Sequence, residues 1–391
     1  MGVITAILGK HDPETIAQLK DVAQRAVMAA LMADGHLGYI MPIGGVAAYE
    51  DKVSVAGVGF DIACGNAALL TDLTLADIEG RLEEIADEIA STISFGLGRT
   101  NKAADAPVDH PLFQSPAWDA LPKKEREPLR EKARQQLGTV GGGNHYVDLF
   151  ADTKGRIWIG VHFGSRGLGH TIATGFMALS QGKPWGSQGK EVEALLPLRS
   201  ELGQRYWALM ELAGQYAYAG REWVVRKVLA ILGGRELALV HNHHNFAWKE
   251  VHGGRELIVV RKGATPAFPG QLSFVGGSMG DGAVILKGAE NPDEETRRLQ
   301  EKILFSTIHG AGRIMSRRAA KRGGVSREAM KRWLKARGII LRGGDVDEAP
   351  QVYRRLEEVL EEQKGTVEVV ERLRPLVVVM AGPEVFDPYK D

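Results

Sequence analysis

Apolar residues recur at helical spacing near the start of the chain. Ile16, Leu19, Val22, Ala23, Val27 and Leu31 fall on one stripe, which predicts an amphipathic helix over residues 13–32. The pattern then breaks into short apolar runs punctuated by Gly and Pro through residues 33–65, beginning near His36, and this predicts strands joined by tight turns. Helical spacing returns over residues 75–93 and 123–136 with charged outer faces, and the Pro-containing stretch between them predicts surface loop. Residues 157–163 read as a strand that ends in a Gly-rich turn carrying Ser165 and Arg166. The longest helical pattern covers residues 200–232, and core packing accounts for its Tyr206, Trp207, Tyr216, Tyr218 and Trp223. A short strand over 236–240 leads into HNHHNFAWKEVHGG, a further strand carries RKGATPAFPG, and residues 306–320 predict a glycine turn followed by a helix bearing Arg313, Arg317 and Arg318. The remainder predicts a basic helical stretch over 321–337, the turn DVDEAPQVY, two short helices and an apolar strand over 376–380. No repeat or low-complexity linker divides the pattern, so a single α+β domain over residues 1–391 is expected.

Composition narrows this picture only a little. With 44% hydrophobic and 25% charged residues and a formal net charge of zero, the chain has the make-up of a globular protein, and its total charge demands no polyanionic partner. A single cysteine rules out an internal disulfide. The N-terminus lacks a basic start with a long apolar run, and no apolar window reaches membrane-spanning length, so a cytoplasmic protein without a membrane partner is expected, as a monomer or weak homo-oligomer. Glycine is the one skew, at 48 of 391 residues or about 12%, against roughly 7% in ordinary proteins. These glycines cluster beside His, Asn and Ser, as expected where backbone approaches a ligand closely.

GVGFDIACGN, residues 57–66, holds the only cysteine, with Asp61 three positions before Cys64. A lone cysteine is most often a small buried apolar residue. The flanking glycines, however, allow turns that bring a carboxylate and a thiolate to one side, and that pair suits a divalent metal once imidazoles complete it. His162 at a strand end is one candidate. Four of the eleven histidines, His241, His243, His244 and His252, lie within twelve residues, and strand alternation puts His241 and His243 on one face and His244 on the other. The triple glycine before Asn144 and His145, and the Gly-Ser loop around Ser278, are two candidate phosphate cradles; neither is a P-loop, since no Gly-Lys-Ser/Thr follows. His309 precedes Gly310 and Gly312 at a third candidate anion site.

Taken in chain order, FDIACG, GGGNHYVD, VHFGSRGLGH, HHNFAWKE, RKGATPAFPG, GSMG and HGAGR resemble the RtcB family of GTP-dependent RNA-splicing ligases, over residues 41–380. The resemblance implies mixed and antiparallel sheets around a dinuclear metal site, surrounded by helices. It places Asp61, Cys64, His145, His162 and His244 on metal ligands, with Cys64 bridging two Mn²⁺ ions, and leaves His241 and His243 as structural. Mn²⁺ is the family's metal; the mixed S, N and O donors would not select it by themselves. Nucleotide contacts are implied for Asn144, His145, Tyr146, Asp148, His244, Asn245, Gly277, Ser278, Met279, Gly310, Ala311, Gly312 and Tyr353, and for His309, which is also the implied nucleophile. Arg166 and Arg313 would bind phosphates of GTP or RNA. The implied reaction guanylylates His309 from GTP and passes the guanylyl group to an RNA 3′-phosphate, itself opened from a 2′,3′-cyclic phosphate where needed. A 5′-hydroxyl then displaces GMP, joining tRNA halves or broken RNA in splicing or repair.

Three positions depart from the family. Asp148 stands where Glu is usual, Ala283 replaces a serine five positions after Ser278, and Met380-Ala381 stand where the family chain ends in Lys-Gly. The chain runs on through a C-terminal extension, 381–391, whose Lys390 could fold back toward the missing lysine. These departures motivate an alternative, a divergent family member with altered nucleotide or end specificity. Two ions and a histidine would equally suit a dinuclear-metal phosphoesterase.

Overall fold

The computed structural model describes residues 2–188, 191–323 and 325–383, so Lys390 and most of the C-terminal extension lie outside the described residues. Two sheets organise it. A five-stranded sheet runs in the order Val3–Ile7, Met28–His36, Ile43–Tyr49, Arg255–Lys262 and Asn245–His252. An eight-stranded sheet runs Leu272–Gly276, Ala283–Gly288, Val367–Met380, Tyr146–Asp152, Arg156–Phe163, Gly65–Thr74 and Glu236–His243, with Ile340–Arg342 parallel to Val367–Met380. The outer strands of this second sheet approach each other, because Asn242 Oδ1 accepts from the Phe274 amide at 3.1 Å and Asn66 Nδ2 donates to the Phe274 carbonyl at 2.7 Å. The sheet is therefore nearly closed. Most pairings are antiparallel, Val3–Ile7 with Met28–His36 being the other parallel one. Helices cover the outside, as expected for an α+β protein.

The two sheets meet in one chain segment. Glu236–His243 ends as an edge of the large sheet, the chain bends at His244, and Asn245–His252 continues as an edge of the small one. Alternation along the first strand turns His241 and His243 toward the helix Glu201–Leu232, while the bend turns His244 the other way. That helix begins at Ser200, whose hydroxyl accepts from Gly203 N–H, and ends at Gly233 in the left-handed conformation. Its Tyr206 and Tyr216 are buried in the core and Tyr218 stacks on the His243 ring at 4.0 Å.

Several expectations change. The helix predicted over 13–32 stops at Ala23, and residues 28–36 form a strand; its run is buried on both faces, so periodicity does not separate buried helix from buried strand there. The Gly-rich turn predicted after residue 163 is the start of a helix, Arg166–Ser180, whose glycines allow close packing: a Cβ on Gly169 would meet Ser165 Oγ at 1.9 Å. Only Arg317–Arg322 is helical in the 306–320 region, leaving Arg313 in a loop, and these six residues are too short to supply a strong helix terminus. Among the described residues after the DVDEAPQVY turn there is one short α-helix, Leu356–Glu362, rather than two, and the strand is the fourteen-residue Val367–Met380, whose first half alternates exposed and half-buried positions.

Candidate active site and metal centre

Antiparallel pairing brings the ends of four strands together at one end of the large sheet. Gly65 lies opposite both Phe163 and His243, and Tyr146 opposite His162. The residues just outside or at those ends are Asp61, Cys64, His145, His162 and His244. Backbone bonds stitch the loop to the sheet junction: His244 N–H donates to Cys64 O at 2.8 Å and Ala63 N–H to Asn245 O at 2.7 Å. Gly164 is needed here, because a Cβ at that position would lie 2.1 Å from Asp61 Oδ1.

The five side chains form two overlapping groups, Asp61/Cys64/His145 and Cys64/His162/His244, with Cys64 common to both. Cys64 Sγ lies 3.2 Å from His162 Nε2 and 3.6 Å from His145 Nε2; the latter is 3.0 Å from Asp61 Oδ2. His162 Nε2 and His244 Nε2 face each other at 3.4 Å. His162 Nδ1 sits 3.0 Å from the Asn144 carbonyl, so that nitrogen carries the proton and Nε2 presents its lone pair to the cluster. Burial pushes the His162 imidazole down to about 3 and His244 well below its ordinary value, so both are neutral donors. Burial, and then the charge of Asp61, pushes the Cys64 thiol up. Converging nitrogen, sulfur and carboxylate groups of this kind could hold a divalent metal ion.

Arg221, fully buried on the long helix, braces this centre from behind. Its guanidinium donates to the carbonyls of Ala63 at 2.9 Å and Phe163 at 2.7 Å, to His241 Nε2 at 2.9 Å, and lies 2.8 Å from His243 Nδ1. Burial holds His241 down to about 4 and His243 well below its usual value, so both act as neutral acceptors. Their structural part in the histidine cluster thus has a physical basis, and sequence pattern gave no sign of Arg221. Arg221→Leu is expected to lower divalent-metal affinity by about 10–100-fold, measured by competition with a chelating dye, and to lower the melting temperature.

A cavity of about 720 Å³ opens over the cluster. It is lined by Asp61, Cys64, Asn144, Tyr146, Asp148, His162, His244, Asn245, Gly277, Ser278, Met279, His309, Gly310, Ala311, Gly312 and Tyr353; of the predicted site residues His145, which joins the cluster through Asp61 and Cys64, and Arg166 are not in the lining. The triple glycine itself is not in the lining, although Asn144 is. Arg166 points elsewhere: its Nε donates to Thr139 Oγ1 at 3.2 Å and its Nη2 to Gly96 O at 3.3 Å, beneath Gly141. Arg313 borders the cavity with its guanidinium held by Tyr353 Oη, Glu348 and the Asp347 carbonyl.

His309 projects into the cavity 4.9 Å, centroid to centroid, from the His244 ring. Asp34, fully buried at the end of Met28–His36, holds it: Oδ2 accepts from the backbone N–H of His309 at 3.0 Å and of Gly310 at 3.2 Å, and lies 2.5 Å from His309 Nδ1. Gly312, with φ of +81°, lets this loop close over the strand, since a Cβ would lie 2.6 Å from the Asp34 carbonyl. Asp34 was not among the sequence candidates. Its signal, an aspartate inside an otherwise apolar run, is faint.

The fold and site together define an α+β protein with a buried cysteine-centred cluster that could hold a metal ion, beside a histidine whose loop is held by a carboxylate. The family model described as tRNA-splicing ligase RtcB matches residues 14–381, and the chain belongs to the RtcB family. It is 32% identical to a tRNA-splicing ligase RtcB of Archaeoglobus fulgidus, over 95% of this chain and 91% of that protein. It is 33% identical to an RNA-splicing ligase RtcB homolog of Entamoeba dispar (90% and 80%) and 31% identical to an RNA-splicing ligase RtcB1 of Escherichia coli (90% and 89%). The match begins well before residue 41 and takes in Asp34.

Proposed function

We propose that this chain is an RNA ligase that joins a 3′-phosphate or 2′,3′-cyclic phosphate end to a 5′-hydroxyl end through a nucleotidylated His309, in tRNA splicing or RNA repair. The observation that carries this reading is the pairing of His309 with buried Asp34 inside the cavity that holds the Asp61/Cys64/histidine cluster. Asp34 Oδ2 lies 2.5 Å from Nδ1 without the alignment of a hydrogen bond, and its charge there would favour the tautomer protonated at Nδ1, leaving the Nε2 lone pair for attack. Nε2 bonds to the α-phosphorus of GTP as the bond to the β-phosphate oxygen breaks and pyrophosphate leaves. An oxygen of the RNA 3′-phosphate then takes the guanylyl group, and the P–N bond breaks to return the lone pair to Nε2. The 5′-hydroxyl, losing its proton, attacks the RNA 3′-phosphorus and releases GMP. Two divalent ions, Mn²⁺ by resemblance, held by Asp61, Cys64, His145, His162 and His244 with Cys64 in common, would offset phosphate charge and acidify attacking hydroxyls. Asn144 and the backbone around Ser278 would supply donors to phosphate oxygens. Arg166 is omitted from phosphate binding, given its inward contacts.

No helix among the described residues is long and apolar enough to cross a membrane. The test is incubation with α-labelled GTP and Mn²⁺. An acid-labile adduct of one GMP is expected, absent in His309→Ala, followed by sealing of 3′-phosphate and 5′-hydroxyl RNAs. Metal-dependent phosphodiester hydrolysis without any adduct would favour the phosphoesterase reading instead.

A further inference from the structure

Three large apolar side chains stand exposed at the mouth of the cavity, Leu37, Tyr39 and Ile314, with Leu37 52% and Tyr39 41% exposed. The loop that carries the first two is pinned by its backbone. Gln18, on the helix Pro13–Ala23, accepts from the Gly38 N–H at 3.1 Å and donates to the Gly38 carbonyl at 2.6 Å. Lys262, buried at the end of Arg255–Lys262, donates from Nζ to the Tyr39 carbonyl at 2.7 Å and to the Ala56 carbonyl at 3.4 Å. Beside these clamps the Met41 N–H closes a three-residue turn on the Tyr39 carbonyl at 2.5 Å. Ile40, at the centre of that turn, has φ of +59°, a left-handed conformation that β-branched residues avoid.

A strained turn held from two elements fixes the direction of the side chains it carries. The Tyr39 ring meets Phe60 edge-on, with centroids 6.4 Å apart at 85°, and Phe60 in turn stacks on His170 at 5.4 Å. Phe60 directly precedes Asp61, so it bridges from the Asp61/Cys64 cluster to the mouth. Lys262 Nζ lies 6.0 Å from the Tyr39 ring centroid and sets a positive charge beside the ring. Three side chains are too small a patch for a protein interface, which takes roughly 800 Å² from each partner. An exposed aromatic ring, oriented in advance beside a cation, suits a single nucleobase of a strand whose phosphates lie close by.

We propose that Tyr39 is a stacking platform for one base of the single-stranded RNA end that enters the cavity, with Lys262 as the positioning residue that holds its turn. The inference rests on the reading of the chain as an RNA ligase, but on no step of the reaction, so binding alone tests it.

The experiment titrates the full-length chain in Mn²⁺ into short fluorescent RNAs, one ending in a 3′-phosphate and one in a 5′-hydroxyl, and reads anisotropy. Tyr39→Ala is expected to weaken binding of at least one of them by about 5–100-fold. Tyr39→Phe should bind within about twofold of the natural protein, whereas Tyr39→Leu, which keeps apolar bulk without a π-face, should resemble the alanine variant. The slope of affinity against salt should be the same in all four proteins, because stacking releases no counter-ions. An abasic scan of the terminal nucleotides should find one position whose loss weakens the natural protein as much as Tyr39→Ala does, with no further loss when the two changes are combined. Lys262→Met should weaken the same RNA and shrink the effect of adding Tyr39→Ala to about twofold, a coupling that a merely destabilised fold would not produce. RNA affinity unmoved by Tyr39→Ala would overturn the inference and leave the ligase reading standing. Weakened GTP binding in Tyr39→Ala with RNA binding intact would assign the ring to the nucleotide and overturn it equally. A natural protein that binds neither RNA would overturn both.

Discussion

Cys64→Ala is expected to leave the chain without bound divalent metal and to slow labelling of His309 by nucleotide about 10³-fold or more, the loss of several kcal/mol of charge stabilisation at the phosphates. The reason is positional. Cys64 is the one side chain common to both ligand groups, so its removal leaves Asp61 with His145, and His162 with His244, as two pairs too small to hold an ion. His145→Ala removes a ligand from one group only, and should cost one ion while sparing the other. Metal content of the purified proteins, after dialysis against Mn²⁺, separates the possibilities: two ions per chain in the natural protein, one in His145→Ala and none in Cys64→Ala. Equal metal content in Cys64→Ala and the natural protein would sink the shared-ligand reading. Cys64→Ser should behave like the alanine variant, since a serine hydroxyl ionises far less readily than a thiol.

The residues of the proposed metal cluster were readable in the sequence to different depths, and the difference is physical. Cys64 and Asp61 stood out because a unique thiol and a carboxylate between glycines have few structural reasons to be neighbours. The placement of His244 apart from His241 and His243 followed from strand alternation, which the bend at residue 244 preserves. What sequence pattern could not reveal was the set of groups that act over long chain separations. Arg221 sits mid-helix among ordinary core positions, and only the folded chain shows that its guanidinium ties residues 63, 163, 241 and 243 together. Asp34 was hidden for a related reason. The predicted helix ends at residue 32, two positions before it, and the strand Met28–His36 that in fact carries it is buried on both faces, which erases the period that would have marked it. The α+β class was legible from alternating patterns. The near-closure of the large sheet was not, because it depends on Asn66 and Asn242 meeting Phe274 across more than thirty residues of chain.

Asp34→Asn is the sharper test of the catalytic histidine. The substitution keeps the shape and one acceptor oxygen, so the backbone N–H groups of His309 and Gly310 retain a partner and the loop keeps its place over the strand. It removes the negative charge 2.5 Å from Nδ1. As Nε2 bonds to phosphorus the imidazole ring gains positive charge, and a carboxylate at Nδ1 stabilises that charge while fixing the tautomer that leaves Nε2 free. An amide does neither well. Labelling of His309 is therefore expected to fall by about 10²–10⁴-fold, with metal content and melting temperature near those of the natural protein. A purely structural aspartate would give the opposite pattern, a near-normal rate in the asparagine variant and a loss only in Asp34→Ala, where two half-buried backbone N–H groups lose their acceptor. The ratio of the asparagine and alanine effects thus distinguishes a residue that holds the loop from one that also drives the nucleophile.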